Sequence, residues 1–342
     1  MNDYNLAAQA HWSRYLLLAL TLLLAGCATH LDRNGEVKSL NDVEPADYGV
    51  ERLAPLTYTP PDWPEALEAR VLLPDTPDDR LRPAALLVHG GGWQRRSPDD
   101  MAEIAERLAE RGYVTVNVAY RFAPTYRFPA QLHDLQQAMA WIHDRADAWR
   151  IDTDRIVGVG YSSGAHLVSL LGVMGSSGPL AAPHGGDHAR LAAVLAGGLP
   201  SDLFKFDDGR LVVEFIGGTR AEKPEAYRLA SPIYHVDADT PPHFLFHGRW
   251  DSLVPVDHAT DFHAELLSQG VESELYLQHY RGHFTSFLIR DSAIEAGIAF
   301  LDRQVREEEP STALIQTAPT RYATPAPAVS NALSIHADAP LP

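Results

Sequence analysis

The chain has 342 residues, 45% of them hydrophobic, enough to build a sizeable core and too many for a chain that stays unfolded. Its 45 Asp and Glu against 28 Lys and Arg leave a formal charge of −17, a field that repels phosphate backbones and excludes nucleic acid as a partner. A single cysteine excludes any intramolecular disulfide.

In chain order the first segment stands apart. Arg14 precedes Tyr15–Ala25, YLLLALTLLLA, an apolar run of signal-peptide length and too short to span a bilayer comfortably. It closes on Leu24-Ala25-Gly26-Cys27, which resembles the lipobox of bacterial lipoproteins. That resemblance implies a signal peptide over 1–26, cleavage before Cys27, and acylation of Cys27, so that two or three acyl chains hold a water-soluble body at a membrane. Because Ala28 rather than Asp follows Cys27, the expected location is the cell envelope at the periplasmic side of the outer membrane. Residues 27–60, polar and then marked by Pro45, Pro55, Pro60 and Pro61, read as a tether.

Residues 61–305 alternate short apolar runs with helical patterns. Strands are predicted at Ala84–Val88, Tyr113–Ala119, Arg155–Gly160, Leu191–Ala196, His243–His247 and Glu272–Gln278. Helices are predicted at Asp99–Arg111, Pro129–Trp149, Ser163–Met174 and Pro255–Gln269. This alternation implies an α/β domain whose largely parallel sheet is covered on both faces by crossover helices. From 306 to 342 the chain turns to Ala, Pro, Thr and Ser and reads as a disordered tail.

In such sheets the chemistry gathers at the carboxyl ends of the strands. Ser162 follows one strand and precedes a helix, with Gly160 and Gly164 on either side, the setting a G-x-S-x-G turn requires. A helix-capping serine would explain Ser162 or Ser163 but not both glycines. A serine hydroxyl needs a base to take its proton and an acid to orient that base. Asp251 and His283 each follow a later strand, in the order Ser, Asp, His. Among 16 histidines the nearest rivals are His279, at a strand end, and His247, placed to brace the loop of Asp251; the rival acid Asp257 falls in a helical first turn, where a carboxylate has a structural role. The run His89-Gly90-Gly91-Gly92-Trp93 offers the N–H groups of Gly91 and Gly92, with that of Ser163, as an oxyanion hole. Trp93, Tyr161 and Trp250 are candidate pocket walls, Arg121 and Asp134 a structural ion pair, and His166 a packing residue beneath the helix after Ser162. No His/Cys grouping suggests a metal, and no cofactor is expected.

Together His89–Trp93, Ala119–Pro124, Phe128–Asp134, Gly160–Leu167, His247–Pro255 and Gly282-His283 resemble the α/β-hydrolases, in their hormone-sensitive-lipase-like and feruloyl/acetyl-esterase-like branch, from about Leu81 to Phe300. Tyr161 and Ser163 stand where the former group commonly has Asp and Ala, which leans towards the latter. The resemblance implies a mostly parallel eight-stranded sheet without a large cap domain, a Ser162/Asp251/His283 triad, and hydrolysis of a small-molecule or polysaccharide carboxylic ester through an acyl-enzyme. An amidase or peptidase on the same fold, and a non-catalytic ligand-binding envelope lipoprotein, are the alternatives. The lack of a large extra domain disfavours a peptidase, and the complete set of reactive residues disfavours a decayed site.

Overall fold

The computed structural model describes residues 28–34, 36, 48–77 and 79–306. The apolar leader, Cys27 and the segment from 307 onwards lie outside the described residues. Among the described residues ten strands form one sheet: β1 (Ala28–Leu31), β2 (Gly49–Arg52), β3 (Leu56–Thr57), β4 (Glu68–Asp75), β5 (Arg82–Val88), β6 (Val114–Val118), β7 (Ile151–Tyr161), β8 (Ala193–Gly197), β9 (His243–Gly248) and β10 (Ser273–Gln278). Their order is β1-β10-β9-β8-β7-β5-β6-β4-β2, with β3 alongside β4. From β6 to β10 all neighbours run parallel, while β4, β2, β3 and β1 pair antiparallel at the two edges.

The helices are α1 (Ala102–Glu110), α2 (Ala130–Asp144), α3 (Ala146–Trp149), α4 (Ser163–Met174), α5 (Arg210–Ile216), α6 (Pro224–Leu229), α7 (Asp257–Ser268), α8 (His283–Leu288) and α9 (Asp291–Val305). Alternation along β5 divides the core between the two faces of the sheet. Leu86 and Val88 pack with Leu132 and Met139 of α2, Leu167 of α4 and Phe262 of α7. Ala85 and Leu87 pack with Leu108 of α1 and Ile298 and Leu301 of α9. Every residue of β5 from Ala84 to Val88 is buried, which is why that run reads as continuously apolar.

The sheet was expected to have eight strands; ten are present among the described residues, and β1, β2 and β3 all fall in the segment expected as a tether. The expected tether is corrected accordingly. Ala28–Leu31 is the edge strand beside β10, and Gly49–Arg52 and Leu56–Thr57 lie on β4. Strands of two to four residues are too short to show an alternating pattern, so only pairing reveals them. Side chains hold β1 in place: His30 Nε2 lies 2.8 Å from Glu274 Oε2, and Arg303 donates to the other oxygen of that carboxylate at 2.7 Å. The long helix expected over Pro129–Trp149 divides at Arg145 into α2 and α3.

Candidate active site

Ser162 stands alone between β7 and α4, at φ 55° and ψ −123°. An L-residue held there carries strain of order 1–3 kcal/mol, so the surroundings must impose it. Its N–H donates to Gly197 O of the neighbouring β8 at 2.7 Å. The flanking glycines remove every competing side chain: a Cβ on Gly164 would lie 2.0 Å from Val88 O, and one on Gly160 2.4 Å from the Gly164 carbonyl carbon. The turn therefore projects the hydroxyl from the carboxyl end of the sheet.

His283, the first residue of α8, lies with Nε2 2.8 Å from Ser162 Oγ and Nδ1 2.6 Å from Asp251 Oδ2. An ionised carboxylate only accepts, so Nδ1–H donates to Asp251 and the Nε2 lone pair faces the Ser162 hydroxyl. The other Asp251 oxygen accepts the N–H groups of Leu253 (2.9 Å) and Val254 (2.8 Å). Burial opposes charge on Asp251, but the hydrogen bonds from His283 and Val254 outweigh it and hold the carboxyl below its usual range.

Both histidine rivals have other partners. The wholly buried His247 donates Nε2–H to Val254 O at 2.8 Å, bracing the loop that carries Asp251, and burial drives its pKa down. His279 Nε2 lies 2.8 Å from Thr29 Oγ1. Asp257 is paired with Lys205 at 3.1 Å.

Beside the serine, Gly91 and Gly92 have φ of 119° and 64°, and a Cβ on Gly91 would meet Arg95 O at 2.0 Å. No hydrogen bond within the described residues engages the N–H of Gly91, Gly92 or Ser163. All three residues line a cavity of about 530 Å³ that also contains Ser162 and His283. This arrangement offers a hydroxyl facing a proton acceptor, with free backbone donors beside it. Among the described residues no group of three or more His, Cys, Asp or Glu side chains converges as a metal-ligand set.

Trp93 and Tyr161 line this cavity. Trp93 stacks on Phe215 with ring centroids 4.5 Å apart, and its Nε1–H donates to His166 Nδ1 at 3.2 Å. His166 in turn donates Nε2–H to Ala230 O at 2.6 Å, and burial pushes it down to about 4. It is thus a neutral strut beneath the pocket wall. Tyr161 donates its hydroxyl hydrogen to His283 O and holds its ring 5.2 Å from the imidazole. Trp250 is corrected: it is 65% exposed, packs edge-to-face on Tyr280 at 4.9 Å, and does not line the cavity. The loop that turns Asp251 inward leaves the indole on its outer side. Arg121 and Asp134 form the expected buried pair at 2.7 Å, which the Trp63 indole also joins.

Sequence reasoning missed Phe206, Leu211, Phe284 and Leu288, which form much of the apolar wall. Of these, only Leu211 falls in the short apolar-patterned run Arg210–Ile216.

A BD-FAE family model matches residues 70–266, more than half the chain. The chain belongs to the BD-FAE family. This BD-FAE chain is 28% identical over 220 residues to esterase LipQ of Mycobacterium tuberculosis, in an alignment covering 61% of the chain and 52% of LipQ. It thus spans about half the length of the curated relatives it matches. Among solved structures it matches a truncated carbohydrate esterase from gut microbiota with a TM-score of 0.65 and 22% identity, covering 78% of this chain and 99% of that one. It also matches Thermogutta terrifontis esterase 2 phosphoramylated by tabun, with a TM-score of 0.60 and 22% identity over 73% of this chain and 94% of that one. These likenesses establish the α/β-hydrolase fold.

Proposed function

We propose that this chain is a serine carboxylesterase with Ser162, His283 and Asp251 as its triad. The observation that carries the reading is the hydrogen-bonded series from Ser162 through His283 to Asp251, opening into a cavity beside three free backbone donors. As Ser162 Oγ attacks the ester carbonyl carbon, its proton passes to His283 Nε2, and Asp251 stabilises the imidazolium that forms. The N–H groups of Gly91, Gly92 and Ser163 receive the oxyanion. His283 then protonates the departing alcohol, and water, deprotonated by the same nitrogen, releases the acid from the acyl-enzyme. The largely apolar walls suit a small-molecule or polysaccharide ester whose acyl group is itself apolar. LipQ is named an esterase, and one structural neighbour a carbohydrate esterase, which supports this class. The test is labelling by a fluorophosphonate probe and turnover of p-nitrophenyl esters. The wild type is expected to do both and Ser162→Ala neither; an unlabelled, inactive wild type would sink the proposal.

We further propose, from the resemblance of Leu24–Cys27 to a lipobox, that acylated Cys27 holds the protein at the periplasmic face of the outer membrane. Among the described residues, which exclude the leader and Cys27, no helix is long and apolar enough to cross a membrane. Cys27→Ser is expected to block both lipidation and cleavage of the leader. Metabolic labelling with a radioactive fatty acid checks this, and a wild-type chain without label would refute it.

A further inference from the structure

Six of the eight large apolar side chains that are exposed among the described residues lie in one region: Trp250, Leu253, Tyr280, Phe284, Leu288 and Ile289, 45–73% exposed. They belong to the loops after β9 and β10, to α8 and to Ile289 just after it, the segments that carry Asp251 and His283. Leu253, Phe284 and Leu288 line the cavity. Trp250 and Tyr280 pack against each other outside it. A cluster of this kind on a water-soluble body marks an interaction site, and Trp with Tyr is the pair that favours the boundary between lipid and water.

The position of β1 indicates what covers this face. Because β1 runs antiparallel to β10, Ala28 pairs with Gln278 at the carboxyl end of that strand, and Thr29 Oγ1 lies 2.8 Å from His279, the neighbour of Tyr280. The chain therefore enters the sheet beside the exposed patch. Immediately before Ala28 come Cys27 and the apolar run Tyr15–Ala25. Whether acyl chains on Cys27 or the run itself makes the attachment, a membrane anchor joined at Ala28 holds this end of the sheet close to the bilayer, with no slack of a long tether. The local charge at this face runs against the negative net charge. In a chain of formal charge −17, Arg95 lines the cavity, Arg249 and Arg281 flank Trp250 and Tyr280 in sequence, and none of the three forms an ion pair among the described residues.

We propose that this face docks on an anionic lipid surface, with Trp250 and Tyr280 at headgroup depth and the mouth of the cavity turned to the bilayer, so that it takes esters from the interface. The inference rests on the reading that residues 1–27 attach the chain to a membrane, but not on the esterase activity.

The full-length protein would be reconstituted into vesicles of phosphatidylethanolamine and phosphatidylglycerol, with and without bromine-labelled lipid, and tryptophan quenching measured for wild type and Trp250→Phe. Quenching in the wild type that is largely lost in Trp250→Phe supports docking. Equal quenching in the two, or none in either, overturns it, as does a dimer in which Trp250 is shielded from lipid. Flotation scores attachment separately: a protein that floats with Trp250 unquenched is anchored but not docked, which overturns the proposal. For a second readout, Trp250→Ser combined with Tyr280→Ser is expected to lower hydrolysis of a long-chain p-nitrophenyl ester dispersed in those vesicles about tenfold, equivalent to about 1.4 kcal/mol. Turnover of p-nitrophenyl acetate in water is expected to stay unchanged. Equal rates on the vesicle ester for wild type and variant would overturn the proposal. A wild type that cleaves neither ester refutes the esterase reading alone, since quenching still decides the docking.

Discussion

The candidate site is assembled from two halves built on different principles. The half around Ser162 is held by backbone: the strained turn, the close contact of Gly164 with Val88 O, and the glycine loop depend on the absence of side chains. The half around Asp251 and His283 is held by side chains: the imidazole meets the carboxylate, His247 braces the loop, and Tyr161 reaches the His283 carbonyl. Its outer surface is apolar and exposed, whereas Tyr161 and Ser163 on either side of Ser162 are buried. The difference teaches where function separates from folding. In the backbone-held half a substitution moves main chain, while in the side-chain-held half chemistry can be removed with the fold left standing.

The largest effect that would expose this separation is expected from Asp251→Asn. The amide keeps the size of the carboxylate but donates where it must accept, so His283 loses both its tautomer and the stabilisation of its imidazolium. A fall in kcat on the order of 10⁴ is expected with the unfolding temperature nearly unchanged. Steady-state kinetics beside calorimetry measure both, and near-normal turnover would remove Asp251 from the mechanism.

A smaller effect is expected on the backbone side, from Gly92→Ala. The new Cβ meets only the flexible Leu211 side chain, at 3.1 Å, but the φ of 64° strains the loop that aims the N–H. Loss of one aligned donor lowers kcat about 10²-fold with little change in KM. If KM alone rises, the loop binds substrate and does not hold an oxyanion.

The mildest effect tests the two halves through acid. His166 in α4 and His243 in β9 are wholly buried, and burial pushes each from 6.5 to about 4. Below pH 6.5 the unfolded chain takes up these protons before the folded one does, so the stability they contribute is complete above 6.5 and is lost as pH falls towards 4. At pH 5 the loss is on the order of 1–2 kcal/mol for each histidine. Urea unfolding at pH 7 and pH 5 reads it, and equal midpoints would mean that both sites accept a proton without unfolding.

Much of the fold and of the site was legible in the sequence, for identifiable reasons. Strands such as Ala84–Val88 are buried on both faces and so appear as unbroken apolar runs. The turn at Ser162 announces itself because Gly160 and Gly164 answer to contacts of 2.0–2.4 Å that tolerate no other residue. Asp251 and His283 could be chosen because each follows a recognisable strand, whereas Trp250, one position from Asp251, follows the same strand and points away.

Local chemistry was therefore determined by the sequence itself: which residues can react, which backbone turns demand glycine, and which runs must be buried. Tertiary structure alone decided what pairing over long separations creates. Ala28–Leu31 has no pattern of its own, and it becomes a strand only because β10, some 250 positions away, leaves an edge open and Glu274 meets His30. That pairing brings the start of the described chain beside the mouth of the cavity. No local propensity encodes such a placement, because its stabilising contacts exist only after the sheet has formed.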